Sequence, residues 1–350
     1  MNATRNAKEQ AGLLTYFVRF RSLSVLFVFL LLGIVFAVFS PGHRFISKEN
    51  MEVFLALGAE FNIVALAVGM LMICGEFDLS VGSVLVFCSF VFLRVFDAGA
   101  GIFVAILVTL SVGALIGFLH GLITVRTGIP SFITTLGGML FWRGLTLFWS
   151  QGFQRPLDTS PYPIFNESLT RTIAGLIPAQ LLWFVGIALV LGFLIHFHKF
   201  GNWVYTTGDN KQAAKAMGIN TDGVKMSCFA IVGIICSFVA IMQIVRVGVF
   251  SSRAADGWEL KAIAASVVGG TALSGGIGNM AGIFLGTLII SVIENGLVVL
   301  RIPYYWTFVI FGIVIVSSVI ITNVTEQKRL TMGAERDGVP SKLPSDNRSP

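Results

Sequence analysis

The chain has 350 residues, of which 55% are hydrophobic and only 12% charged, with 38 glycines and a formal net charge of +6. Soluble domains carry about 25% charged residues, so a cytosolic enzyme or a nucleic-acid binder is excluded: in water so few charges cannot screen this much apolar surface. The composition is that of an all-α membrane protein, and the positive charge reads as topology.

A bilayer-crossing helix needs about 20 mainly apolar residues, each rising 1.5 Å. Ten stretches approach that pattern: residues 22–40, 52–74, 79–96, 101–124, 130–149, 179–198, 225–245, 259–273, 280–300 and 304–322. The eighth is short and carries Lys261, which suits a half-helix buried by its neighbours. The chain divides into a cytoplasmic segment 1–21, a transmembrane domain 22–322 and a cytoplasmic, disordered tail 323–350, where hydrophobic periodicity gives way to charge, Pro and Ser. An even number of spans puts both termini on one side. Arg5, Lys8, Arg19, Arg21, Lys199, Lys211, Lys215, Lys225, Lys328 and Arg329 mark that side as cytoplasmic.

Two loops are long. Residues 150–178 form an external loop with Arg155, Asp158, Glu167 and Arg171, and residues 199–224 an internal one. Within the latter, Asp209 is a plausible N-cap and Gly218 a stop for a short helix, either a docking surface or a solvated connector. The stretch 75–82 interrupts two apolar runs with Glu76 and Asp78. Asp78 either caps the helix beginning near Leu79, with Ser80 in support, or takes part in transport. Its spaced pattern G-x-x-x-L-S-x-G returns at residues 269–276, which predicts two irregular helix junctions.

Residues 276–281 also fit G-x-G-x-x-A, but no strand precedes them and no acidic partner follows. No Gly-Lys pair exists for a phosphate-binding loop, so any ATP hydrolysis belongs to another subunit. Gly113, Gly117 and Gly121, like Gly278, Gly282 and Gly286, recur every four residues and line up close-packing faces. Cys74, Cys88, Cys228 and Cys236 read as small buried hydrophobes, and the four histidines make no metal pattern. The few polar groups in the spans include Glu60, Asn62, His120, Thr134, Thr135, Gln243, Glu294 and Asn295; each either lines a wet path or bonds a neighbouring helix.

Several strings coincide with one family. Residues 75–83 (GEFDLSVGS) resemble the G-G-I-D-L-S-V-G-S signature of the membrane permeases of ribose-type ABC importers. Residues 129–137 with Arg143-Gly144, 208–214 with 218–220, 257–265 with 268–271, and 295–297 resemble further blocks in the same order, so the likeness covers about residues 20–322. Glu76-Phe77, Lys261 and Glu294 depart from the pattern: Gly-Ile, an acidic residue and Asn are common at those places.

The resemblance implies an ABC importer permease fold in a bacterial inner membrane. It also implies a second permease subunit (homodimer or related heterodimer), partner ATPase subunits holding ATP and Mg, and a periplasmic substrate-binding protein. No catalytic residue, cofactor or metal is expected on this chain. On this reading the path takes Asn62, Asp78, Ser80, Thr134, Thr135, Gln243 and Asn295. ATPase coupling takes Asp209, Asn210, Ala213, Ala214 and Gly218, and binding-protein docking takes Arg155, Asp158, Glu167, Arg171, Arg253, Asp256 and Glu259. The scarcity of ionisable groups favours a neutral sugar such as ribose or another monosaccharide. The alternative is an ATP-independent secondary carrier or channel for a small polar solute, with Glu60, Asp78 and Glu294 as its titratable groups.

Overall fold

The structure, a computed structural model, describes residues 21–303, 305–314, 316, 317, 319 and 320. The tail 323–350 and the N-terminal segment, apart from Arg21, lie outside the described residues. Within the described residues, every predicted span contains a helix. In order these are α1 (Arg21–Phe39), α2 (Lys48–Ile73), α3 (Val81–Asp97), α4 (Ile102–Thr127) and α5 (Ser131–Ser150). The loop 150–178 contributes α6 (Pro163–Thr170), followed by α7 (Ala179–His196), α8 (Lys199–Asp209), α9 (Lys211–Ala216), α10 (Thr221–Val247), α11 (Trp258–Val268) and α12 (Met280–Val299). A last apolar helix, α13, covers Tyr305–Val314. Five of these, α2, α4, α7, α10 and α12, are long and apolar enough to cross a membrane by themselves.

The shorter helices have local causes. α3 has 17 residues because the chain before it, residues 74–80, is unwound rather than helical. α11 has 11 residues and stops at Val268, confirming the half-length expected of the eighth segment. Irregular chain from residue 269 then leads to Asn279, whose side chain caps α12 by accepting from Ala281 N at 2.9 Å. The G-x-G-x-x-A string is therefore a helix entry.

Lipid offers helices no hydrophobic reason to associate, so close packing must come from small residues. α4 and α10 show this: a Cβ on Gly113 would lie 2.4 Å from the Gly233 carbonyl oxygen, and one on Gly117 2.1 Å from that of Phe229. α11 and α12 repeat it, with Gly286 against the Ala265 carbonyl oxygen at 2.1 Å. α2 is buried from Ala59 to Ile73, so it forms the centre of the bundle with α10 and α12 around it. The four cysteines are buried free thiols within the described residues.

Outside the bundle, two short antiparallel pairs organise the loops. β1 (Arg155–Pro156) pairs with β4 (Val249–Phe250), tying the start of the loop 150–178 to the turn after α10. β2 (Thr172–Ile173) pairs with β3 (Ile177–Pro178), and Thr172 Oγ1 donates to Glu52 at the head of α2 at 2.7 Å.

Candidate translocation path and coupling site

The two G-x-x-x-L-S-x-G breaks meet. Gly75 leaves α2 at φ +82°, and Gly276 N donates to Ile73 O at 2.8 Å. A Cβ on Gly275 would stand 2.6 Å from Gly75 Cα and 2.9 Å from Gly208 O, and one on Gly208 would stand 2.0 Å from Ile73 O. Backbone thus touches backbone at three places, which only glycine permits. The third partner, Gly208, lies in the last turn of α8, directly before the coupling segment.

That segment differs in detail from its expectation. Asn210, not Asp209, caps α9, its Oδ1 accepting from Gln212 N at 3.0 Å and Ala213 N at 2.9 Å. Asp209 ends α8 and lies against Gly276. Gly218, at φ +82° with open space around it, ends α9 as expected; Ile219 N reaches back to Ala214 O at 3.1 Å. Ala213 is exposed whereas Ala214 is fully buried, so only the first presents itself to a partner. Lys211 and Lys215 both pair with Asp222 in the first turn of α10, at 3.0 and 3.4 Å. These pairs are exposed and fasten α9 lightly.

The unwound residues 74–80 run through the protein interior, where every peptide group needs a partner. α5 supplies two: Ser131 Oγ accepts from Phe77 N and Thr135 Oγ1 from Leu79 N, each at 3.0 Å. Asp78 Oδ1 accepts from Ser80 N at 2.7 Å and from Ser80 Oγ at 2.5 Å. Ser80, rather than Asp78, occupies the N-cap of α3, so the carboxylate orders the residue that starts the helix without capping it. Ser80 Oγ also meets His120 Nδ1 at 3.2 Å, and Trp142 Nε1 donates to His120 Nε2 at 3.2 Å. With Nε2 accepting, the neutral ring carries its proton on Nδ1 and donates to Ser80. All donors then point one way, toward Asp78. The carboxylate, 2% exposed and forming no ion pair within the described residues, is held by these bonds alone. Thr134, one residue from Thr135, keeps a buried Oγ1 with no partner.

The other path candidates lie on α2 (Asn62), α10 (Gln243) and α12 (Asn295). Asn62 Oδ1 accepts from Ser291 Oγ at 2.8 Å. Glu60, 1% exposed, takes both arms of Arg246, Nε at 2.5 Å and Nη2 at 2.9 Å, with Gln243 beside the same carboxylate. Asn295 carries a buried, unpartnered Nδ2. From Asn62 to Cys74 is twelve helical residues, about 18 Å of rise, so the predicted path residues form two layers rather than one cluster. The charged departures from the family pattern are all paired. Lys261 Nζ donates to Glu294 at 2.6 Å while lying over the Phe311 ring, and Glu76 pairs with Lys225 of α10. Their spacing in sequence gave no sign of this pairing.

Of the residues expected to dock a binding protein, Arg155, Asp158, Glu167, Arg171, Arg253 and Asp256 are exposed. Hydrogen bonds from Ser160 hold the Asp158 carboxyl below the usual carboxylate range. The β1–β4 pairing brings Arg155 beside the turn bearing Arg253 and Asp256. Asp256 is paired with Arg143 at 2.8 Å, and Glu167 with Arg171 at 3.3 Å. Glu259 turns inward, its Oε2 3.0 Å from where a Gly82 Cβ would sit.

A helical bundle with five helices long and apolar enough to cross a membrane, broken helices and polar layers inside is that of a multi-pass membrane protein. Residues 50–319 match the family described as branched-chain amino acid transport system / permease component, and the chain belongs to that family. The autoinducer 2 import system permease protein LsrC of Yersinia pseudotuberculosis serotype O:1b (strain IP 31758) is 29% identical over 90% of this chain and 86% of its own. The protein of that name from Yersinia pestis (strain Pestoides F) matches to the same extent. No solved structure matches. The chain is accordingly a transport subunit and not an enzyme.

Proposed function

We propose that the chain forms the translocation path of an ATP-driven importer for a neutral, sugar-like solute, ribose, another monosaccharide or a sugar-derived signal, alternating between outward and inward access. The observation that supports a neutral solute is the pairing of charge inside the bundle. Glu60–Arg246, Glu76–Lys225 and Lys261–Glu294 neutralise one another. Asp78 is engaged by Ser80. A zwitterionic amino acid would need one free charge of each sign in the path to replace its lost hydration. The relatives named for autoinducer 2 import support the importer reading. Calorimetry on the binding protein associated with this permease is expected to give a neutral sugar or sugar derivative as its tightest ligand. An amino acid or a sugar phosphate would overturn the solute class.

On this reading, the path is served by Asn62, Asp78, Ser80, Thr134, Thr135, Gln243 and Asn295. A partner ATPase holds ATP and Mg and moves α9 through Asn210, Ala213 and Gly218. ATP shifts access only through contacts that differ between the two states. Vesicles carrying permease, ATPase and binding protein are expected to take up solute with ATP, and Ala213→Arg to leave insertion and hydrolysis intact while abolishing uptake. Normal uptake by that variant would make α9 a plain connector. Uptake by this chain alone, driven by a proton gradient, would favour a carrier.

Arg155, Arg253 and the exposed Glu167–Arg171 pair, with Asp158, offer the binding protein a salt-sensitive surface whose role is orienting the encounter. Charge reversal at Arg155 and Arg253 together is expected to raise the half-saturating concentration of binding protein at low salt, and less so at high salt. An unchanged value places docking elsewhere.

A further inference from the structure

We infer that the cleft where α7 turns into α8 binds the phosphodiester of an anionic phospholipid. The cleft holds about 530 Å³ and is lined by His196, His198, Lys199, Asn202, Trp203 and Tyr205 among others, with no carboxylate among the described residues of its wall. The protonation of its histidines follows from their partners. Phe200 N donates to His198 Nδ1 at 3.1 Å, and Met280 N to His196 Nε2 at 3.3 Å. Each of those nitrogens accepts, so His198 keeps its proton on Nε2 and His196 on Nδ1. Lys199 makes no ion pair within the described residues. The wall therefore offers one ammonium and several uncharged N–H donors, a set suited to an anion.

Position in the fold indicates where that anion comes from. Along α7 the exposed apolar residues Leu182, Val185, Leu189, Phe193 and Phe197 succeed one another every three or four positions, and Phe197 is 80% exposed. That stripe has the spacing of a helix face turned to lipid, and it ends against His198. Trp203, 42% exposed, and Tyr205 follow where the chain leaves the span, the depth at which such rings gather at a membrane surface. Basic pockets between membrane helices at this level receive lipid headgroups. One cation matches the single negative charge of a phosphodiester, and the lack of a carboxylate leaves nothing to meet the ammonium of a zwitterionic headgroup. The inference rests on the helices crossing a membrane and not on the identity of the solute.

The test uses the assembled transporter in bilayers containing, at equal mole fraction, phosphatidylglycerol or phosphatidylcholine brominated near the headgroup end of the acyl chains. The emission lost on Trp203→Phe is the signal. Stronger quenching of that signal by the brominated phosphatidylglycerol is expected. Lys199→Gln should weaken this preference roughly fivefold, the effect of one cation near the surface, with His198→Ala as the second variant if the first does not insert. Equal quenching by the two lipids would overturn the inference. Loss of the preference on adding inorganic phosphate would assign the cleft to a free anion, and a preference seen with the permease alone but absent from the assembled transporter would assign it to the ATPase subunit; either result rules out lipid.

Discussion

Gly275→Val is expected to abolish uptake and to lower stability by about 3–5 kcal/mol, combining the left-handed backbone penalty with overpacking. The residue sits at φ +84°, and its new Cβ would stand 2.6 Å from Gly75 Cα, a backbone atom that cannot rotate aside. The displacement would pass to Gly208 and hence to α8, which leads directly into α9, the proposed coupling helix. Gly257→Ala is the control. Its φ is +78° but nothing lies within 4 Å of the added carbon, so it should lose only about 1–2 kcal/mol and retain uptake. Thermal inactivation in detergent, read beside ATP-driven uptake in vesicles, separates the two. If the variants behaved alike, backbone strain alone would matter and the contact between the breaks would not.

Arg246→Leu is expected to destabilise the protein by about 3–5 kcal/mol, because it leaves the Glu60 carboxylate buried without its cation. The reverse change, Glu60→Leu, should cost less: the Arg246 side chain is 23% exposed and its head can reach water, whereas that of Glu60 is 1% exposed. The double variant Glu60→Leu, Arg246→Leu should recover most of the loss, since an apolar pair of similar volume is often as stable as a buried ion pair. Melting temperatures of all four proteins form a double-mutant cycle. Additive losses would show that the bidentate contact is not coupled energetically. Recovery of stability with loss of uptake in the double variant would place Glu60 and Arg246 in transport itself.

Much of this architecture was legible in the sequence because bilayer thickness and hydropathy act residue by residue. Apolar runs located the ten helical segments, Lys261 marked the short eighth one, and paired Gly-Leu-Ser strings marked the two breaks. The spaced glycines foretold close packing, since a missing side chain is visible without knowing its neighbour. Partnership was different. Thr135 and Asp78 stood out as polar residues, but only the fold showed that they bond the unwound backbone and Ser80. Asn210 capped α9 where Asp209 was expected, and Ala214 faced inward beside an exposed Ala213. Lys261 and Glu294 looked like separate anomalies until the fold placed them 2.6 Å apart. Chain order thus determined which segments are apolar helices and where they break. Only tertiary structure decided which break meets which, and which charge answers which, because these contacts join residues far apart in the chain, and their geometry depends on how whole helices pack.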